Sequence, residues 1–280
     1  MAATTPTATP VLKPKRFNPL TALGPGLITG AADEDPGGVA THSQAGAQFG
    51  VDMLWTAFLT YPFMAAFQSV CGQIGRVTGK GLATNMKAAF PPWVVRTAVV
   101  LLLVANTLNI AADVASMGEA AQLVFGGNRH VYTIGLAVFS LLLQVFVPYH
   151  RYVGFLKWMT LSLLAYVAVA FTVHVQWLDV LNRSLLPHIT LDVATATVVV
   201  AVFGTTISPY LFFWQAAEEV EDLEIDPAAH ALLERPEEAP DAMRRIKWDT
   251  YIGMAYANGV GFFIMLSTAV TLHQSGITQI

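Results

Sequence analysis

Charged side chains are scarce in this chain. Asp, Glu, Lys and Arg make up 12% of its 280 residues, against about a quarter in an average soluble domain. That shortage excludes an ordinary soluble enzyme, whose surface needs many more ionised groups to stay hydrated. Cysteine is almost absent, and the single Cys71 rules out a disulfide framework or a cysteine-built zinc or iron–sulfur site within the chain. Basic residues are not in excess either: the net charge is −4, which argues against a nucleic-acid partner. No nucleotide-binding loop, Ser/His/Asp arrangement or paired-metal motif is present, so an enzyme is not expected. What the chain has in abundance is apolar surface, 54% of residues with a mean hydropathy of +0.53. That content excludes disorder and identifies a membrane protein.

Stretches poor in charge divide residues 17–280 into seven expected spans: 17–51, 53–75, 97–118, 131–150, 153–178, 193–217 and 250–273. Each is long enough to cross a hydrocarbon core of about 30 Å as a helix. The first is too long for one straight helix and holds Asp33-Glu34-Asp35-Pro36-Gly37-Gly38 at its centre. Charge, proline and two glycines together predict two half-helices joined by an unwound turn. With a cytoplasmic N-terminus, seven spans place Lys13, Lys15, Arg16, Arg76, Lys80, Lys87, Arg96, Arg151, Lys157, Arg235, Arg244, Arg245 and Lys247 inside, and only Arg129 and Arg183 outside. This positive-inside bias fixes the expected orientation of a multi-pass cell-membrane protein. Trp55, Trp93, Trp158, Trp177 and Trp248 fall near span ends and read as an interfacial belt.

Residues 1–16 lack an apolar signal-peptide core and read as a disordered cytoplasmic tail. Residues 218–249 are rich in acids, from Glu218 and Glu219 to Asp241, before a basic end. They read as a solvated cytoplasmic loop or, alternatively, as a cation-sensing one.

A second interruption, Gly204-Thr205-Thr206-Ile207-Ser208-Pro209-Tyr210, lies in the sixth span, five spans after the first. Paired breaks in corresponding positions point to a transporter built from inverted repeats, with its site between the unwound segments. Acids at mid-membrane are costly unless paired or facing water; Asp35, bordering the turn, is the expected ligand. Carbonyls near Gly37, Gly38 and Thr205 and the hydroxyls of Thr205, Thr206 and Ser208 supply further oxygen, and hard oxygen donors suit Mg²⁺, Ca²⁺ or Mn²⁺. Asp33 and Glu34 are expected to draw cations toward the site, and His42 to face the same aqueous path. Asp113, in the third span, is either held by Asn106 or Asn109 or part of an ion-release path.

These residues carry a resemblance. Gly24-Pro25-Gly26, Asp35-Pro36-Gly37, Ala40-Thr41 and Gln44-Ala45-Gly46-Ala47-Gln48-Phe49-Gly50 resemble the first helix of the NRAMP family of divalent-metal transporters. The likeness continues through Asn109 to Gly118 and Gly204 to Tyr210. It implies an all-α, LeuT-type inverted-repeat bundle with broken first and sixth helices and a metal site between them. Where the family has Asp-Pro-Gly-Asn this chain has Asp35-Pro36-Gly37-Gly38, and where it has Met-Pro-His this chain has Ser208-Pro209-Tyr210. Ser116 stands where a glutamate is usual. This pattern is similar to the NRAMP-related magnesium transporters, which implies uptake of Mg²⁺ or Mn²⁺ without obligatory proton coupling. Losing a thioether and a carboxamide favours an ion that keeps several waters, as Mg²⁺ does.

A proton-coupled Mn²⁺/Fe²⁺ transporter and a non-transporting metal-sensing scaffold are the alternatives. An organic-cation or amino-acid carrier would be expected to have aromatic pocket residues, and only Tyr210 fits. The expected partners are the divalent cation as substrate and the lipid bilayer, with no resident cofactor and a monomeric state. A ten-helix fold needs at least three more spans, so the sequence is expected to be C-terminally incomplete and to leave its last helices without partners.

Overall fold

The computed structural model describes residues 25–147, 158–188, 190, 192–225 and 229–280. The expected tail 1–16, Gly24, His150, Arg151, Lys157 and Asp226 lie outside them. The described residues are helical, with no strand among them. In chain order they form α1 (Pro25–Asp33), α2 (Pro36–Phe49), α3 (Trp55–Thr78), α4 (Leu82–Ala89), α5 (Pro92–Phe125), α6 (Arg129–Phe146), α7 (Leu164–Thr172), α8 (Trp177–Leu185), α9 (Val193–Thr206), α10 (Pro209–Ile225) and α11 (Ala239–Thr271).

Both expected breaks are present, and both are tighter than the sequence suggests. Only Glu34 and Asp35 separate α1 from α2, and only Ile207 and Ser208 separate α9 from α10. Pro36 and Pro209 each open the following helix, where a missing N–H costs nothing. Gly37 and Gly38 are therefore helical rather than unwound. The Asp35 carboxylate bonds the Gly38 N–H (2.7 Å), and the Gly37 carbonyl accepts from the Thr41 hydroxyl (2.8 Å).

The centre of the molecule is α11, which packs against α1, α2 and α3, while α3 also packs against α10. Small residues make these contacts close. A Cβ on Gly30 would overlap the Gly253 carbonyl, one on Gly46 the Met265 carbonyl, and one on Gly75 the Ala216 carbonyl. Close backbone approach is how membrane helices gain van der Waals energy where lipid is as apolar as the side chains. Several polar groups buried in this layer are paired. Asp249 caps the start of α1 through the N–H groups of Gly26 (2.7 Å) and Leu27 (3.3 Å), Thr29 donates to Gln215 (2.7 Å), and Thr60 donates to Asn258 (2.9 Å).

Four described helical stretches are long and apolar enough to span a membrane: Pro92–Phe125, Arg129–Phe146, Val193–Ile225 and Pro236–Ser275. A fifth, bent by 119°, joins Leu161–Thr172 to Trp177–Leu185. The expected span 153–178 thus closes at Thr172, and Trp177 begins a separate amphipathic helix. The acidic stretch 218–249 is mostly helix rather than loop: α10 runs on to Ile225 and α11 starts at Ala239. Glu218 and Glu219 are buried, not solvated. Glu218 accepts from the Trp214 indole (2.7 Å) and Glu219 pairs with Arg245 of α11, so packing partners rather than water receive their charge. Trp93 and Trp158 are widely exposed, as an interfacial belt requires, whereas the Trp55 indole nitrogen is buried.

Candidate functional site

Asp35 stands at the first break because it caps α2. Its Oδ1 takes the Gly38 N–H, which leaves Oδ2 to face outward from the turn. There it accepts from Asn109 Nδ2 of α5 (3.2 Å) and from the Tyr210 hydroxyl at the start of α10 (3.1 Å). Three elements thus fix one carboxylate. A carboxylate has about four lone-pair sites; three are used, so one remains for a cation.

That carboxylate opens on a cavity of about 290 Å³ lined by Ala32, Asp35, Asn106, Asn109, Asp113 and Tyr210, with Ile110 and Trp214 completing the wall. Asn106, Asn109, Ile110 and Asp113 recur at i, i+3, i+4 and i+7, so one face of α5 supplies half the lining. Asp113 Oδ1 is buried without a hydrogen-bond partner. Neither asparagine holds it: Asn109 donates to Asp35 instead. A buried acceptor left unpaired beside a second carboxylate, in a polar cavity with room for several waters, is an environment a cation would stabilise. Every polar side chain on the wall offers oxygen or amide nitrogen except the Trp214 indole; none offers imidazole or sulfur. Among the described residues no three His, Cys, Asp or Glu side chains converge as a metal-holding group. Any ion held here would keep much of its own hydration.

The other residues singled out from the sequence lie around this cavity rather than on its wall. Gly38 joins the two breaks: a Cβ there would stand 2.9 Å from the Asp33 carbonyl and 3.5 Å from Thr205 Oγ1. The C-terminal ends of α1 and α9 therefore approach each other, and such ends carry partial negative charge. Ser208 is buried and its hydroxyl turns back onto the carbonyls of Thr205 and Gly204, within its own chain segment. Thr206 is buried with its hydroxyl unpaired, and so is Asp33 Oδ1. Glu34 and His42 are buried together, 3.4 Å apart. Gly261 of α11 makes room for them, since a Cβ there would stand 2.7 Å from Glu34 Oε1. Asp35, Asp113 and Tyr210 are thus brought together; Gly37, Thr205, Ser208, Thr206, Asp33, Glu34 and His42 are not on the cavity wall. The sequence offers Asn106 or Asn109 as a partner for Asp113, with an ion-release path as the alternative, and does not single out Trp214. The i, i+3, i+7 spacing of Asn106, Asn109 and Asp113 was the available signal.

Known proteins resemble this chain in sequence and in fold. The chain is 28% identical over 204 residues to the divalent metal cation transporter MntH of Acidiphilium cryptum, covering 70% of this chain and 46% of that protein. It is 27% identical over 258 residues to the metal transporter Nramp5 of Oryza sativa subsp. japonica, covering 90% of this chain and 44% of that protein. The chain thus spans about half the length of these relatives. Its fold matches the crystal structure of a manganese transporter mutant from Eremococcus coleocola with a TM-score of 0.69 at 18% identity, covering 94% of this chain and 55% of that one. The model of the natural resistance-associated macrophage protein-like (Nramp) family matches residues 26–280; with the two broken helices and the carboxylate between them, the chain belongs to the Nramp family.

Proposed function

We propose that this chain carries the cation site of a divalent-metal transporter and mediates uptake of Mg²⁺, Mn²⁺ or both by alternating access, without obligatory proton coupling. The observation that carries the proposal is Asp35, held at a helix break by Gly38, Asn109 and Tyr210 on the wall of a cavity it shares with Asp113. Asp35 is the proposed direct ligand, joined by carbonyl and hydroxyl oxygens of the two breaks, from Gly37, Gly38, Thr205 and Ser208, when the helices rearrange. Asp33, Glu34, Thr206, Tyr210, Asp113 and His42 are assigned to the ion path. A wall without thioether or imidazole supports a hard, hydrated cation over a late transition metal. The named relatives are transporters rather than enzymes, which supports a non-enzymatic role. The proposed setting is a multi-pass monomer with seven spans and a cytoplasmic N-terminus.

The test is flux into sealed liposomes containing the purified chain, with Mg²⁺ and Mn²⁺ supplied outside and a pH dye inside. Mg²⁺ entry inhibited by Mn²⁺, without acidification and lost in Asp35→Ala, is the expected result. Mn²⁺ entry with acidification and no Mg²⁺ flux would establish the proton-coupled reading, for which the unpaired Asp113 oxygen is the structural argument. Metal binding without flux would leave the sensing scaffold.

A further inference from the structure

A second cavity lies away from the helix breaks, between α4 and the first half of α5. It has a volume of about 700 Å³. On α5 its wall is Pro92, Val95, Arg96, Val99 and Val100, a single helical face read at i, i+3, i+4, i+7 and i+8. On α4 it is Ala83, Thr84 and Lys87, one turn of an eight-residue helix. The groove is therefore mostly apolar and carries two cations, Lys87 on α4 and Arg96 on α5.

Among the described residues no carboxylate pairs with those cations. No Asp or Glu occurs between Asp52 and Asp113. The acids of the neighbouring α10 do not line the groove. Arg129, Arg183, Arg235 and Arg245 each pair with a carboxylate; among the described residues, Lys87 and Arg96 have no such partner. The height of the two cations is also marked: Phe90 and Trp93, 52% and 70% exposed, sit beside them, where aromatic side chains favour the headgroup level of a bilayer. Val99 and Val100 follow one turn deeper along a helix long enough to span the membrane.

We propose that this groove is a binding site for one anionic phospholipid. Its phosphate sits between Lys87 and Arg96, and one acyl chain lies along Val95, Val99 and Val100. The groove supplies what that molecule needs, a positive charge from each of two helices and an apolar wall along α5. A zwitterionic lipid would carry a choline into the same pair of cations and gain less. The inference does not depend on what the protein transports.

The test is native mass spectrometry of the full chain in detergent, titrated with phosphatidylglycerol or phosphatidylcholine of matched acyl chains. One retained phosphatidylglycerol, favoured over phosphatidylcholine by about 25-fold, is expected if each cation contributes about fivefold. Lys87→Gln with Arg96→Gln removes that preference, Arg96→Lys keeps most of it, and Arg129→Gln at the start of α6 leaves it unchanged. Thr84→Trp fills the groove with its charges intact and lowers retention of both lipids, and a monodisperse elution profile shows that each variant is folded. Equal retention of the two lipids, or a preference that survives in the doubly substituted chain, would overturn the proposal.

Discussion

The two breaks are built alike and used differently. Each is a two-residue interruption closed by a proline at the start of the next helix, Pro36 in one and Pro209 in the other. Before Pro36 stands Asp35, which satisfies the α2 terminus with one oxygen and presents the other to the cavity. Before Pro209 stands Ser208, whose single hydroxyl is spent on the carbonyls of its own segment. A carboxylate keeps its negative charge and acceptor sites after capping a helix, whereas a hydroxyl brings a neutral oxygen whose direction is fixed by the carbonyls it donates to. The proline thus decides where the chain breaks, and the residue before it decides whether the break can serve an ion.

Substitutions at the two breaks should separate these roles. The largest effect is expected at Asp35: Asp35→Asn keeps the cap but removes the charge, and should weaken Mn²⁺ binding in calorimetry by about 100-fold or more, beyond the 10–100-fold cost of an outer partner. Tyr210→Phe removes one hydrogen bond that holds Oδ2 and should weaken binding by about tenfold, with the melting temperature little changed. At the junction of the breaks, Gly38→Ala places a methyl 2.9 Å from the Asp33 carbonyl and should destabilise the protein by about 1–3 kcal/mol in thermal melts. Ser208→Ala removes a hydroxyl proposed to join the site when the helices rearrange and should weaken affinity by about fivefold, roughly 1 kcal/mol. A loss within about threefold would mean that the hydroxyl stays on the carbonyls of its own segment when the ion binds.

The smallest effect concerns the start of α9. The Asp192 carboxylate accepts from the Thr195 N–H (2.7 Å), and this bond holds its pKa below the ordinary value. A depressed carboxylate contributes stability that is present above its unfolded pKa and lost as the pH falls through the folded one. The melting-temperature gap between the parent and Asp192→Ala should therefore be constant near neutrality and shrink as the pH falls below about 4.

Much of the fold and part of the site were legible in the residues. Asp35-Pro36 and Ser208-Pro209 announce breaks because proline cannot continue a helix ladder, and the residue before it resists the helical conformation. The width of the breaks was overestimated because Gly37 and Gly38 suggest unwinding. Their helical state depends on the Asp35 cap and on Gly38 fitting against the Asp33 carbonyl. The acidic run after Ala217 looked solvated because charge density was all that could be read. Burial of Glu219 follows from Arg245, 26 residues later on another helix.

From the sequence alone came the quantities that are local or compositional: the apolar helices, the two proline breaks, the acid beside the first, and the oxygen character of its donors. These follow from side-chain chemistry and from the backbone demands of a bilayer, where every peptide group must be satisfied within its own segment. Tertiary structure alone decided that Asn109 and Tyr210 hold Asp35, that Asp113 shares its cavity while Thr205 and Ser208 do not, and that Lys87 and Arg96 meet across one groove. Those pairings join residues between 9 and 175 positions apart, and most of them depend on how closely neighbouring helices approach. That distance is set by glycines packed against partner backbones, which no single segment specifies.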